Sequence, residues 1–126
     1  MNYRGSTGFG QSFVRSSDRE WAGKMHDDLI DAVDWAVAQR IAPRDKVAIM
    51  GGSYGGYATL VGLTFTPDRF ACGVNIVGVS NLKTLLETIP AYWESGRAQW
   101  HRAIGQPGTP EGDRLLRERS PVHRAD

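Results

Sequence analysis

From Lys24 to Val37 the apolar residues Met25, Leu29, Ala32, Val33, Ala36 and Val37 recur at helical spacing and make one stripe. Asp27, Asp28, Asp31 and Asp34 fall mostly on the rest of the surface, so the pattern predicts an amphipathic helix, ended by Pro43. Ser17-x-x-Glu20 is a candidate capping box, but Gly23 weakens the first turn and puts the firm start near Lys24. Lys24 and Asp28, one turn apart, form a weak surface pair. Residues 1–16, rich in Gly, Ser and Asn, read as a loop. Beyond the turn at Arg44-Asp45 the periodicity changes. Lys46–Met50 carries apolar residues without alternation, the mark of a parallel strand covered on both faces. A helix is expected from Tyr54 to Leu63, closed by Thr66-Pro67-Asp68. Phe70–Val79, with Val74, Ile76, Val77 and Val79, is the next strand. Strand, helix and strand within about thirty residues make a βαβ unit with a right-handed crossover.

The C-terminal third is less regular. Ser80 or Asn81 caps a short helix running to Glu87 and ended by Pro90. Residues 91–104 hold Tyr92, Trp93 and Trp100 among charges with no clean period, and Gly105–Gly112 reads as a loop. Asp113–Arg119 is a charged helical turn, and Ser120-Pro121 looks like the N-cap and first residue of another short helix. With no repeats and no low-complexity tract, residues 1–126 read as a single α/β domain.

Composition narrows the partners. A net charge of +1 and 40% hydrophobic residues suggest neither a nucleic-acid nor a membrane partner. No apolar run approaches the ~20 residues of a membrane span. The start, Met1-Asn2-Tyr3-Arg4-Gly5, lacks the apolar core of a secretory signal, so a cytoplasmic location is expected. Cys72 is the sole cysteine, which excludes an intrachain disulfide, and its apolar setting predicts a buried core residue. No cofactor is expected. The chain has no phosphate-loop lysine and no G-x-G-x-x-G, and its three histidines show no metal-ligand spacing.

Between the two strand runs, Gly51-Gly52-Ser53-Tyr54-Gly55 fits the G-x-S-x-G nucleophile elbow of α/β-hydrolases. A serine at the tip of a sharp strand-to-helix turn is held in a strained backbone with its hydroxyl exposed. Gly51 and Gly55 are expected to pack too tightly to bear side chains, because strand and helix nearly touch there. The helix N-terminus behind the serine offers free N–H groups and the positive end of a dipole to a developing oxyanion. The plainer alternative is a glycine-rich corner carrying an ordinary serine.

Asn2-Tyr3-Arg4-Gly5-Ser6-x-Gly8-Phe9-Gly10, Trp21-x-Gly23, Asp27-Asp28, Gly51-Gly52-Ser53-Tyr54-Gly55-Gly56-Tyr57 and Ser120-Pro121 together resemble the prolyl oligopeptidase family. The match is best to its acylaminoacyl-peptidase and dipeptidyl-peptidase-like branch and runs from end to end. The resemblance implies part of an α/β-hydrolase catalytic domain, three-layered with a mostly parallel sheet, and serine peptidase or esterase chemistry on short peptides or esters. It assigns Ser53 as nucleophile and the backbone N–H of Tyr54 to the oxyanion hole. Tyr92 and Trp93 fall where the family lines its substrate pocket, or else they cover the end of the sheet. The family's His-Gly-Gly segment would lie upstream of this chain, and its catalytic aspartate and histidine downstream. The chain is therefore expected to be an internal piece, weak or inactive alone. His26 is expected to be a surface or packing residue, and His101 and His123 remain open as substitute bases. Two rival readings stand beside this one: a non-catalytic α/β interaction module, and a small esterase whose base comes from another subunit. Without the strand that precedes it in the family, Lys46–Met50 would be an apolar edge, so self-association is expected.

Overall fold

The apolar run behind Ser53 becomes α3 (Tyr54–Phe65), and the other elements are arranged around it. In the computed structural model, which describes residues 1–125, four elements lead into α3 or flank it: α1 (Gln11–Arg15), α2 (Lys24–Ala38), β1 (Ala48–Gly52) and β2 (Cys72–Ile76). Three helices follow: α4 (Leu82–Glu87), α5 (Arg97–Ile104) and α6 (Pro110–Glu118). β1 and β2 pair in parallel, from Ala48 opposite Cys72 to Gly52 opposite Ile76, which completes the expected βαβ unit.

Strand alternation gives the sheet two unlike faces. Ile49, Gly51, Gly73 and Asn75 look toward α3, where the Ile49 Cδ1 approaches Gly62 and Leu63 and Thr59 crowd Gly73. The other row is bare: Met50, Val74 and Ile76 are 72%, 52% and 51% exposed. Cys72 belongs to this bare row and is exposed, contrary to the buried position expected of it. Strand parity, which the apolar neighbours of Cys72 do not reveal, decides its face.

α3 is apolar all round because it is covered on two sides. The sheet takes one side. The other buries Tyr57 and Val61 against Leu82 and Leu86 of α4, Ile104 of α5 and Leu116 of α6. Ser120 and Tyr57 pair their hydroxyls across this core. The Ser120 Oγ accepts from Leu82 N at 2.9 Å and donates to Leu116 O at 2.6 Å, joining α4 to α6. The Tyr57 hydroxyl donates to Arg119 O at 2.7 Å, and the Arg119 guanidinium reaches Ala22 O, also at 2.7 Å.

Local chemistry explains the helix ends, with several departures from the sequence pattern. Asn81 caps α4 by accepting from Lys83 N and Thr84 N, at 3.0 and 3.2 Å. Thr109 caps α6, so this helix starts at Pro110 and takes in part of the expected loop. Ser17 caps nothing; its hydroxyl donates to Val14 O just past α1, a helix inside the expected loop. Glu20 alone serves α2, accepting from Lys24 N at 2.9 Å. Asp28 pairs with Arg4, whose Nε and Nη2 donate to its carboxylate at 2.8 and 2.7 Å. Those hydrogen bonds hold the Asp28 carboxyl below its usual range. A single 3₁₀ turn at Arg44–Lys46 delays β1, and β2 stops at Ile76 instead of Val79. α5 replaces the aperiodic stretch, with Ile104 buried and Trp100 stacked on Trp93. No helix among the described residues is long and apolar enough to cross a membrane.

Candidate active site

Ser53 stands alone between β1 and α3 with φ 54° and ψ −116°, outside the region that residues with side chains favour. Such a conformation costs of order 1–3 kcal/mol and persists only when its surroundings enforce it. Two backbone hydrogen bonds do so here: Ser53 N donates to Ile76 O and Ser53 O accepts from Tyr57 N, both at 3.0 Å. The side chain is exposed and makes no capping bond, which leaves the hydroxyl free. At this end of α3 the N–H groups of Tyr54, Gly55 and Gly56 have no intrahelical acceptor. The positive end of the helix dipole therefore sits beside the hydroxyl.

Glycine makes the approach of strand and helix possible. A Cβ on Gly51 would run into the backbone of Gly55, as expected. A Cβ on Gly55 would meet nothing within 4 Å, contrary to expectation. The second crowded position is Gly56, where a Cβ would lie 2.6 Å from Gly78 Cα. Successive helical residues rotate by about 100°, so Gly56 faces β2 while Gly55 faces outward.

Aromatic rings support the turn. The Tyr54 side chain is directed into the fold, its ring edge-on to Trp21 at 4.6 Å and 5.7 Å from both Tyr3 and Tyr57. Burial raises the hydroxyl pKa of Tyr54 and of Tyr57, so both phenols stay protonated at neutral pH. Tyr54 is thus structural through its ring and available to chemistry through its N–H. Trp93 stacks on Trp100 with ring planes 4° apart, and Trp100 meets Trp21 at 6.4 Å. This line of rings connects Trp93 to Tyr54. Tyr92 and Trp93 are 79% and 44% exposed and meet edge to face. The support given by Trp21 and Trp100 is absent from the sequence reading of the site, although a Trp two residues before Gly23 was its visible signal.

Among the described residues no hydrogen bond joins a histidine to Ser53. His26 is a buried packing residue whose Nε2 lies 2.9 Å from the Thr66 Oγ1. Thr66 follows the C-terminus of α3, placing His26 about 18 Å along that helix from Ser53. The Thr66 hydroxyl donates to Gly62 O, so it accepts from His26 Nε2–H, and the buried Nδ1 is left bare. His101 lies half-buried on α5 with its Nε2 buried and unpaired. His123 is exposed in the 3₁₀ turn Pro121–His123, in a groove with Asn81, Lys83, Asp113 and Arg117. A cleft of about 660 Å³ opens elsewhere, between the N-terminal segment and Asp28, Ala32 and Trp35 of α2. Ser53 instead faces open surface.

His26 makes acid stability testable. Burial holds its imidazole below the ordinary value of 6.5, so the unfolded chain binds a proton that the folded chain refuses. Its contribution to stability is complete above pH ~6.5 and declines as pH falls toward the lower folded value. His26→Gln is expected to flatten the acid side of the stability profile in urea titrations between pH 7.5 and 5. An unaltered profile would contradict the placement of a neutral His26 against Thr66.

A parallel βαβ unit whose crossover helix is entered through a positive-φ serine, with glycines at the strand–helix contact, is the geometry of an α/β-hydrolase. The chain belongs to the prolyl oligopeptidase family, whose profile matches residues 1–124. It is 64% identical over its whole length to dipeptidyl aminopeptidase BIII of Pseudoxanthomonas mexicana, covering 18% of that protein. It is 52% identical to dipeptidyl peptidase family member 6 of Caenorhabditis elegans, covering all of this chain and 17% of that one. Among solved structures it superposes on a puromycin hydrolase with a TM-score of 0.86 at 27% identity, over 98% of this chain and 18% of the other. A puromycin-hydrolyzing peptidase of Mycobacterium tuberculosis gives the same TM-score at 32% identity, with the same coverage. The chain thus spans under a fifth of the length of these relatives.

Proposed function

We propose that Ser53 is the nucleophile of a serine peptidase of the prolyl oligopeptidase type, cleaving peptide or ester bonds of short substrates by acyl transfer. The observation that carries this reading is the exposed, positive-φ Ser53 held between β1 and the N-terminus of α3. In the reaction the Ser53 Oγ bonds to the carbonyl carbon while a histidine base takes its proton. The carbonyl oxygen becomes an oxyanion facing the Tyr54 N–H. Collapse expels the amine or alcohol, which receives the proton from the histidine, and water then hydrolyses the acyl-serine. His26, about a helix length from Ser53, is not that base. Exposed Tyr92 and Trp93, joined to Tyr54 through Trp100 and Trp21, form an apolar wall for a substrate side chain. The two relatives named as dipeptidyl peptidases support a short peptide as substrate.

The absence of a histidine beside Ser53 favours one second reading, an inert α/β module. A fluorophosphonate probe separates the two. Labelling of the wild-type chain that is lost in Ser53→Ala supports the nucleophile; a folded chain that takes no label even with imidazole supplied as an external base supports the inert module.

A second copy of this chain is the partner we propose. β1 and β2 are both edge strands, and Met50, Val74 and Ile76 leave one sheet face apolar and bare. Two copies related by a two-fold axis pair the same edge of each or pack the same bare face of each. Light scattering at micromolar concentration is expected to give a mass above 13.9 kDa. A sharp species at that mass, unfolding cooperatively and independently of concentration, would sink the idea.

A further inference from the structure

Asn75 puts an amide into the apolar run Val74–Val77 at the end of β2. It is the register partner of Gly51, so it points to the face that α3 covers. Its Oδ1 accepts from Gly78 N at 2.9 Å, bridging Val77, whose φ is 47°. For a β-branched residue that conformation is a genuine outlier and must be held from outside. The corner so formed touches the Ser53 turn twice. Its first residue, Ile76, offers the carbonyl that accepts from Ser53 N at 3.0 Å. Its last, Gly78, lies against Gly56 so closely that a Cβ on either glycine would collide with the other's backbone and with the Asn75 Oδ1.

We propose that Asn75 is a positioning residue for Ser53, its amide oxygen locking the Val77-Gly78 corner on which the backbone of the serine turn rests. The catalytic part of this proposal rests on reading Ser53 as the nucleophile. When the Oδ1 is removed, Gly78 N–H loses its acceptor and Val77 relaxes toward negative φ. The Ile76 carbonyl then turns away from Ser53 N. The hydroxyl itself gains or loses no direct contact, so the effect reaches the chemistry only through geometry.

Asn75→Leu keeps the volume and deletes the acceptor, whereas Asn75→Asp keeps an acceptor oxygen at the same reach. Two readouts on the 126-residue chain test the proposal. The first is amide hydrogen exchange at Ser53 and Gly78, with Val61 and Gly62 in the body of α3 as controls for intact folding. Exchange at Ser53 and Gly78 is expected to be about tenfold faster or more in Asn75→Leu, unchanged at the controls, and restored in Asn75→Asp. The second is the rate of fluorophosphonate capture by Ser53. This is expected to fall about 10²-fold in Asn75→Leu, the cost of a small misplacement, and to recover in Asn75→Asp. Should Asn75→Leu not fold, Asn75→Ala takes its place. Exchange at Ser53 that is indifferent to both substitutions overturns the proposal. A wild-type chain that takes no label even with imidazole supplied as an external base overturns the nucleophile reading instead, while the exchange arm still decides whether Asn75 holds the turn.

Discussion

Gly56→Val is expected to leave the chain largely unfolded under conditions where Gly55→Ala stays fully folded. The two glycines are neighbours in one motif, yet their surroundings are opposite. A Cβ on Gly56 would press on backbone atoms of Gly78, 2.6 Å away at Cα, and a backbone pinned by the Ser53–Ile76 hydrogen bond cannot step aside. Overpacking against side chains typically costs 1–3 kcal/mol. Against backbone at the centre of the fold the loss should exceed about 3 kcal/mol, a large part of the ~5–15 kcal/mol available to a domain. The Cβ of Gly55→Ala enters open space within α3, where alanine is favoured over glycine by about 1 kcal/mol. Urea melts of the two variants measure this. Equal midpoints would show that the helix does not meet the sheet through Gly56.

Hydrolysis of an activated ester by the isolated chain should be slow and should depend on Ser53. Disabling the acid–base partners of a serine triad leaves only about 10³–10⁴ of acceleration over water. Turnover is therefore expected far below the ~10 s⁻¹ typical of enzymes, with peptide cleavage undetectable. Ser53→Ala should lower ester turnover to the level of the surface nucleophiles. A rate near ~10 s⁻¹ that disappears in Ser53→Ala would show that a base reaches Ser53 in this chain, from His101, His123 or a second copy.

The part of the fold legible in the sequence is the part fixed by local pattern. The α2 stripe has helical period over four turns, and the runs flanking Gly51-Gly52-Ser53 could form only strand and helix. Asn81 announced its cap because a short polar side chain satisfies orphan N–H groups where a helix starts, whereas Ser120 opens its 3₁₀ turn with no capping bond and spends its hydroxyl between α4 and α6. What escaped depends on distant contacts. Arg97–Ile104 has one buried apolar residue, and its helix is supported by Trp93 stacking on Trp100, outside the reach of any periodicity. β2 ends three residues short of the apolar run because Val77, an ideal strand former, is held at positive φ by the Asn75–Gly78 bridge. The exposure of Cys72 and the exchange of roles between Gly55 and Gly56 have a common cause. Composition marks a segment as packed, but rotation about a strand or helix axis chooses which residue of it is touched. At the site, the serine and its turn were legible. The ring support from Trp21 and Trp100 and the Asn75 brace were not, because each acts across elements.

Mass spectrometry of the chain after exposure to a p-nitrophenyl ester tests the central claim most directly. The intact mass should increase by one acyl group, peptide mapping should place that group on Ser53, and Ser53→Ala should remain unmodified. A folded wild-type chain that stays unacylated at Ser53, or that carries the acyl group on other residues to the same extent as Ser53→Ala, would contradict the account.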